Sequence, residues 1–253
     1  MSNNLFSLSG KVAAISGCTR GIGRSMAIAL AEAGADVCLL QRNIGDKKLY
    51  NLITEMGRHC EIVYLDIGIQ TTIQAAIDGV IAKFSRIDIL VNNAGIQRRN
   101  PAVDFLEDDW DTVIQCNLKS VWTLSQTAGR FMVSQKSGKI INIASLLSFQ
   151  GGINVPAYAA AKGGLALLTK ALSNEWSKFN VNVNAIAPGY IATDMNIALT
   201  ENEAVSEDIR NRIPAGRWGT PDDFKGPIVF LASDASNYVD GEILVVDGGW
   251  MGR

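Results

Sequence analysis

A phenol and an ammonium four residues apart define the chemistry this chain could perform. Tyr158 and Lys162 stand in Tyr158-Ala-Ala-Ala-Lys162, within an alanine-rich segment that runs on to Ser177. On a helix that spacing places both side chains on one face, one turn apart. A phenol with its ordinary pKa of about 10 exchanges protons near neutrality only if that value falls. Burial alone raises it, so a nearby positive charge must outweigh desolvation, and Lys162 can supply one. A fall of about three units corresponds to about 4 kcal/mol. Ser145 follows the strand-length apolar run Lys139-Ile-Ile-Asn-Ile-Ala144, and its hydroxyl could donate to an oxygen that gains charge. A helix can also carry Tyr-x-x-x-Lys by accident, so the meaning of the pair depends on whether the chain also builds a hydride donor site.

The elements that would position these groups begin at the N-terminus. A short apolar strand, residues 11–15, runs directly into Ser16-Gly-Cys-Thr-Arg-Gly-Ile-Gly23. Ile22, Met26, Ala29, Leu30 and Ala33 then recur with helical period until Gly34, and residues 36–40 form the next strand. This is a βαβ unit with a glycine-rich first turn. Gly17, Gly21 and Gly23 would let the backbone approach a pyrophosphate, and the helix N-terminus would supply N–H groups; the alternative is an ordinary tight turn. Apolar periodicity predicts further helices near residues 46–56, 73–84, 108–135, 157–177 and 221–232. Further strands are predicted at residues 61–65, 87–91, 138–143, 181–186 and 242–246. The alternation implies an α/β fold, one doubly wound parallel sheet with helices on both faces, over a single domain 1–253.

In such sheets ligands sit outside the carboxyl ends of the strands. The unusual residues fall there: Gly17, Thr19, Arg20, Gly21, Ile22 and Gly23; Gln41 and Arg42; Asp66 and Ile67; Asn93, Ala94 and Gly95; Ser145; and Pro188, Gly189, Ile191 and Thr193. Clustering of polar groups on one edge points to a nucleotide site.

Composition narrows the class. An apolar fraction of 47% over 253 residues supports a full core. A net charge of −2 argues against a nucleic-acid partner. Residues 1–9 are short and polar, unlike a signal peptide, and no apolar run approaches a membrane span. Cys18, Cys38, Cys60 and Cys116 lack metal spacing and read as buried thiols of a reducing cytosol, so a cytoplasmic protein without a metal site is expected. His59 is the single histidine, and nothing around it suggests a triad.

In order along the chain, Ser16-Gly-x3-Gly-Ile-Gly23, Asp66, Asn92-Asn-Ala-Gly95, Asn117, Ser145, Tyr158-x3-Lys162 and Pro188-Gly189 resemble the short-chain dehydrogenase/reductase family over essentially its whole length. The resemblance implies a Rossmann-type sheet of seven strands and a homotetramer. It implies that Tyr158 transfers the proton, that Lys162 lowers the phenol pKa and holds the nicotinamide ribose, and that Ser145 orients the carbonyl. Asn117 would support a water-linked proton path in the long helix. The departure is Ser16 where Thr is common, which keeps the hydroxyl.

Longer stretches, Asn93-Ala-Gly-Ile-Gln-Arg-Arg99, Ser145 to Gly152, Arg212 to Trp218 and Asp247-Gly-Gly-Trp250, resemble a branch acting on sugar acids of the 2-deoxygluconate and 2-keto-3-deoxygluconate type. Arg98 and Arg99 could pair with a substrate carboxylate, or be solvated loop charges. Leu147, Gln150 and Trp218 are further candidate substrate contacts. The residues Leu146, Leu147, Phe149, Val155 and Trp218 read as an apolar pocket, which keeps open a reductase of bulkier neutral or acyl-carrier-bound ketones. A non-catalytic dinucleotide sensor on the same fold is the rival of another class. After the second strand, Gln41 and Arg42 replace the carboxylate that would hold an NAD ribose. With Arg20 they favour NADP(H), although many members of the branch use NAD(H). Small apolar positions Ala160, Gly164, Leu168 and Leu172 are expected to face another subunit.

Overall fold

A computed structural model describes residues 4–253. Its seven strands form one parallel sheet: β1 (Val12–Ser16), β2 (Asp36–Gln41), β3 (Cys60–Tyr64), β4 (Ile89–Asn92), β5 (Gly138–Ile143), β6 (Val181–Pro188) and β7 (Ile243–Val246). Their spatial order is β3-β2-β1-β4-β5-β6-β7. Order reverses between β1 and β4, where Ala13, Ala14 and Ile15 pair with Ile89, Leu90 and Val91. Crossovers leave β1 and β4 to opposite sides there, opening a crevice at the carboxyl ends of the strands.

Period-two alternation along the strands divides the core between the two faces of the sheet. Ala13, Ile15, Val37, Leu39, Val91 and Ile141 pack against α1 (Gly21–Glu32) and α9 (Lys225–Ala232), through Met26, Leu30, Ile228 and Leu231. Val12, Ala14, Cys38, Leu40, Leu90 and Ile140 pack on the other face. There they meet Ile73 and Ile77 of α3 (Gln70–Phe84), Leu124 and Ala128 of α5 (Ser120–Gln135), and Leu172 of α6 (Pro156–Trp176). The helix α2 (Lys48–Glu55) covers the β2–β3 margin with Leu49 and Ile53.

The structure departs from the sequence pattern in three places. The expected helix over 108–135 is interrupted: α4 (Glu107–Ile114) passes into a π-helical turn, Gln115–Lys119, before α5. The region 221–232 opens as a short 3₁₀ turn, Pro221–Phe224, held by a capping box between Thr220 and Asp223. Between β6 and that turn lie two unanticipated helices, α7 (Ile197–Thr200) and α8 (Glu203–Arg212). Neither contains a buried residue, so no apolar stripe marked them.

Leu172 also turns inward, into the core, and Gly164 lies against Leu118. Ala160 is exposed as expected, and the large apolar side chains left exposed on α5 and α6 are Trp122 and Leu167. Among the described residues no helix is long and apolar enough to cross a membrane.

Candidate active site

Ser145, Tyr158 and Lys162 converge at the carboxyl end of β5. Ser145 caps a 3₁₀ turn, Leu146–Ser148, and its Oγ accepts from the Leu147 N–H at 3.1 Å, which leaves its own hydrogen free to donate. The Ser148 hydroxyl donates to the Lys162 carbonyl at 2.7 Å, tying that turn to the first turns of α6. Pro156 starts α6 with a preset φ. Lys162 is 5% exposed; its Nζ donates to the Ile143 carbonyl at 2.5 Å and stands 5.5 Å from the centre of the Tyr158 ring.

Burial opposes the expected electrostatics here. Burial pushes the Tyr158 phenol up to about 12, against opposing effects from the Ser145 hydroxyl and the Arg99 charge. Burial likewise pushes the Lys162 ammonium down to about 8. The Lys162 donor is directed to the Ile143 carbonyl and not to the phenol. In this state desolvation wins.

The dinucleotide cradle is built around close backbone approaches. Gly17 has φ +64° and Gly21 φ +54°. A Cβ on Gly17 would lie 2.8 Å from Ala94 Cα, and one on Gly23 only 2.2 Å from the Gly17 carbonyl oxygen. The Ser16 hydroxyl accepts from the N–H groups of Asn93 and Ala94, each at 3.1 Å, so Ser does here what the retained hydroxyl promised. The Asn93 amide donates to the Ser16 and Gly17 carbonyls at 3.1 and 2.8 Å. These bonds join the ends of β1 and β4 across the crevice. The N-terminus of α1 has no side-chain cap, since Arg20 at that position makes none; its N–H groups are free for an anion. The residues present therefore fit a pyrophosphate.

Thr19 is exposed and Ile22 half-buried beside that turn, and Asp66 and Ile67 are half-buried beyond β3. Asp66 Oδ1 accepts from the Gly68 N–H at 2.9 Å. Pro188 and Gly189 close the end of β6, with Gly189 so near Asp247 that a Cβ would meet its Cα at 2.6 Å. Ile191 is buried and Thr193 half-buried, its methyl lying over Gly21.

Asn117 sits fully buried in the π turn. Its Oδ1 accepts from the Ile96 N–H at 2.9 Å and its Nδ2 donates to the Ile96 carbonyl at 2.7 Å. Both ends of the side chain thus hold the strand-end loop after Gly95.

The cofactor-selecting residues divide. Gln41 is buried, and its Nε2 donates to the carbonyls of Asn43 and Asp46 at 2.7 and 2.9 Å. It organises the loop after β2, and its Oε1 is buried without a partner among the described residues. Arg42 is exposed and makes no ion pair among the described residues. Arg20 pairs with Asp194 at 2.9 Å.

The substrate candidates divide too. Arg98 is tied to Asp109 at 3.1 Å, whereas Arg99 forms no ion pair among the described residues and its charge acts on Tyr158. Leu146 and Val155 are buried; Leu147 and Gln150 are half-buried and Phe149 is exposed. Trp218 donates its indole N–H to Ser206 Oγ at 3.1 Å and meets Tyr190 edge-on. Tyr190 also packs on Trp250, and the Arg212 guanidinium lies 3.9 Å from the centre of the Trp250 ring. This aromatic stack, behind Leu146, had no periodic signal in the sequence because its members come from three separate segments. A cavity of about 600 Å³ lies at the opposite, amino end of the sheet, among Lys11, Asp88, Lys139 and Asp240. It contains none of the groups gathered around Tyr158.

A family model described as enoyl-(acyl carrier protein) reductase matches residues 17–251. The chain is 54% identical over 250 residues to the 2-dehydro-3-deoxy-D-gluconate 5-dehydrogenase of Pseudoalteromonas atlantica, covering 98% of each chain. It is 50% identical to the enzyme of that name from Escherichia coli, again covering 98% of each. Among solved structures, a gluconate 5-dehydrogenase from Burkholderia cenocepacia in complex with NADP and tartrate superposes with a TM-score of 0.95. It shares 40% identity over 98% of both chains.

Proposed function

The chain belongs to the short-chain dehydrogenase/reductase family, and on that premise we propose that it interconverts a secondary alcohol and a ketone on a sugar acid, with NADP(H) as redox partner. The observation that carries the reading is the convergence of Ser145, Tyr158 and Lys162 beside a glycine cradle at the β1–β4 crevice. When bound, the nicotinamide would give or take the hydride. Tyr158 would give or take the proton at the substrate oxygen, and Ser145 would donate a hydrogen bond to that oxygen. At rest Tyr158 is a neutral phenol, the form required to protonate a ketone; alcohol oxidation requires it ionised. Lys162, still largely protonated at neutral pH, would favour that ionisation by turning from the Ile143 carbonyl toward the phenol.

NADP(H) is supported by the absence of a carboxylate at Gln41, by the unpaired Arg42, and by the NADP held in the Burkholderia relative. A sugar-acid substrate of the 2-keto-3-deoxygluconate or gluconate type is supported by the names of the relatives. It is also supported by Arg99, a cation near Tyr158 that is free to meet a carboxylate. We place this one-domain chain in the cytoplasm, where four buried free thiols persist, and as a homotetramer with Trp122 of α5 and Leu167 of α6 covered by other subunits.

Tyr158→Phe tests the mechanism. Dinucleotide affinity should stay near that of the parent, while turnover falls by about 10² to 10⁴-fold, the scale of general acid–base catalysis. Near-parental turnover would end the proposal. Turnover of neutral aromatic ketones but not of 3-deoxy keto acids would favour the carbonyl-reductase reading. Tight dinucleotide binding without turnover on any carbonyl would favour a sensor.

A further inference from the structure

The segment between β6 and the 3₁₀ turn at Pro221 is an excursion closed at its base by a bridge between Ile191 and Gly219. It carries α7 and α8, which bury no residue, so little packing holds this part in one position. Its rear is anchored: the Ala215 N–H donates to the Gly248 carbonyl at 2.9 Å, and Arg212 stacks on Trp250. Its front is held differently. Among the described residues, the one hydrogen bond or ion pair from the excursion to the glycine loop is Arg20 with Asp194, at 2.9 Å. Both side chains are well exposed, at 78% and 67%, so the pair is weak and open to exchange.

Arg20 is also a cation of the dinucleotide cradle, next to the uncapped N-terminus of α1. Its guanidinium cannot serve two anions fully at once. We propose that Asp194 competes with the cofactor's 2′-phosphate for Arg20, so that a 2′-phosphorylated dinucleotide releases the front of the excursion and an unphosphorylated one does not. This rests on the NADP(H) reading above. Asp194 then opposes selection of the phosphorylated cofactor, and cofactor identity sets the freedom of the segment flanking the substrate pocket.

The test is calorimetric titration of the full chain with 2′,5′-ADP and with 5′-AMP, which differ in the 2′-phosphate. Asp194→Asn should tighten 2′,5′-ADP about two- to fivefold, the range of an exposed ion pair, and leave 5′-AMP unchanged. The gain should vanish in an Arg20→Gln background and at about 1 M salt, where screening reaches about 3 Å. In the parent chain, 2′,5′-ADP should speed tryptic cleavage after Arg210, and 5′-AMP should not. An equal gain for both nucleotides, no gain for either, or no difference in cleavage would overturn the proposal. If the parent chain binds 2′,5′-ADP no better than 5′-AMP, the NADP(H) reading falls with it. If that preference holds and Asp194→Asn leaves it unaltered, the competition alone is refuted.

Discussion

Replacing Lys162 with methionine should stabilise the fold at neutral pH relative to alkaline pH while abolishing most activity. Lys162 is 5% exposed, and among the described residues its ammonium has one hydrogen bond, to the Ile143 carbonyl at 2.5 Å. Burial lowers its pKa from 10.5 to about 8. Below that value the folded protein carries a charge it disfavours, a penalty of about 3 kcal/mol for about 2.5 units. As pH rises through 8 the folded lysine loses its proton before the unfolded one, so the unfolded chain binds more protons and stability rises until about 10.5. Lys162→Met removes this penalty and also a hydrogen bond to a charged group of about 1.5–3 kcal/mol. At pH 7 the two nearly offset. The decisive quantity is therefore the difference between variant and parent as pH changes: integrating the linkage, the variant's relative stability should fall by about 2 kcal/mol between pH 7 and 9.5. Lys139, lowered to about 8, and the buried thiols of Cys18, Cys38 and Cys60, raised, also shift stability with pH. They cancel in the difference. Urea unfolding at one protein concentration and several pH values measures it. A difference independent of pH would refute the buried, depressed ammonium on which the reasoning rests.

Other perturbations test the rest of the site. Gly23→Ala would set a methyl 2.2 Å from the Gly17 carbonyl oxygen; dinucleotide affinity should fall about 10- to 100-fold, the scale of overpacking by about 1–3 kcal/mol, with the circular dichroism spectrum retained. Arg99→Ala should raise the KM for a sugar acid about 10-fold or more, as loss of a charge-assisted contact does, and leave neutral ketones unaffected. Arg98→Ala, whose parent side chain is already paired with Asp109, should change the same KM less than about fivefold. Steady-state kinetics on both substrate classes separates the two arginines.

The strand–helix alternation was legible because each strand is an apolar run and each core helix carries its stripe; Val12 to Ser16 and Met26 to Leu30 are cases in point. The polar residues gathered at strand ends marked the crevice, since a parallel sheet brings all those ends to one edge. Helices α7 and α8 were illegible because they bury nothing, and the π turn around Asn117 because Gln115–Lys119 holds no glycine or proline to mark a break in the helical run. Tyr158, Lys162 and Ser145 could be singled out as candidates by type, by spacing and by the glycine-rich turn elsewhere in the chain. What those groups face could not. Only the tertiary structure aimed Lys162 at the Ile143 carbonyl, paired Arg98 with Asp109 and left Arg99 free, and set Asp194 against Arg20. Spacing along the chain reports which side chains share a helical face. The partner of a charge is set by groups far away in sequence, Asp194 lying 174 residues from Arg20, and by how much water the fold removes between them.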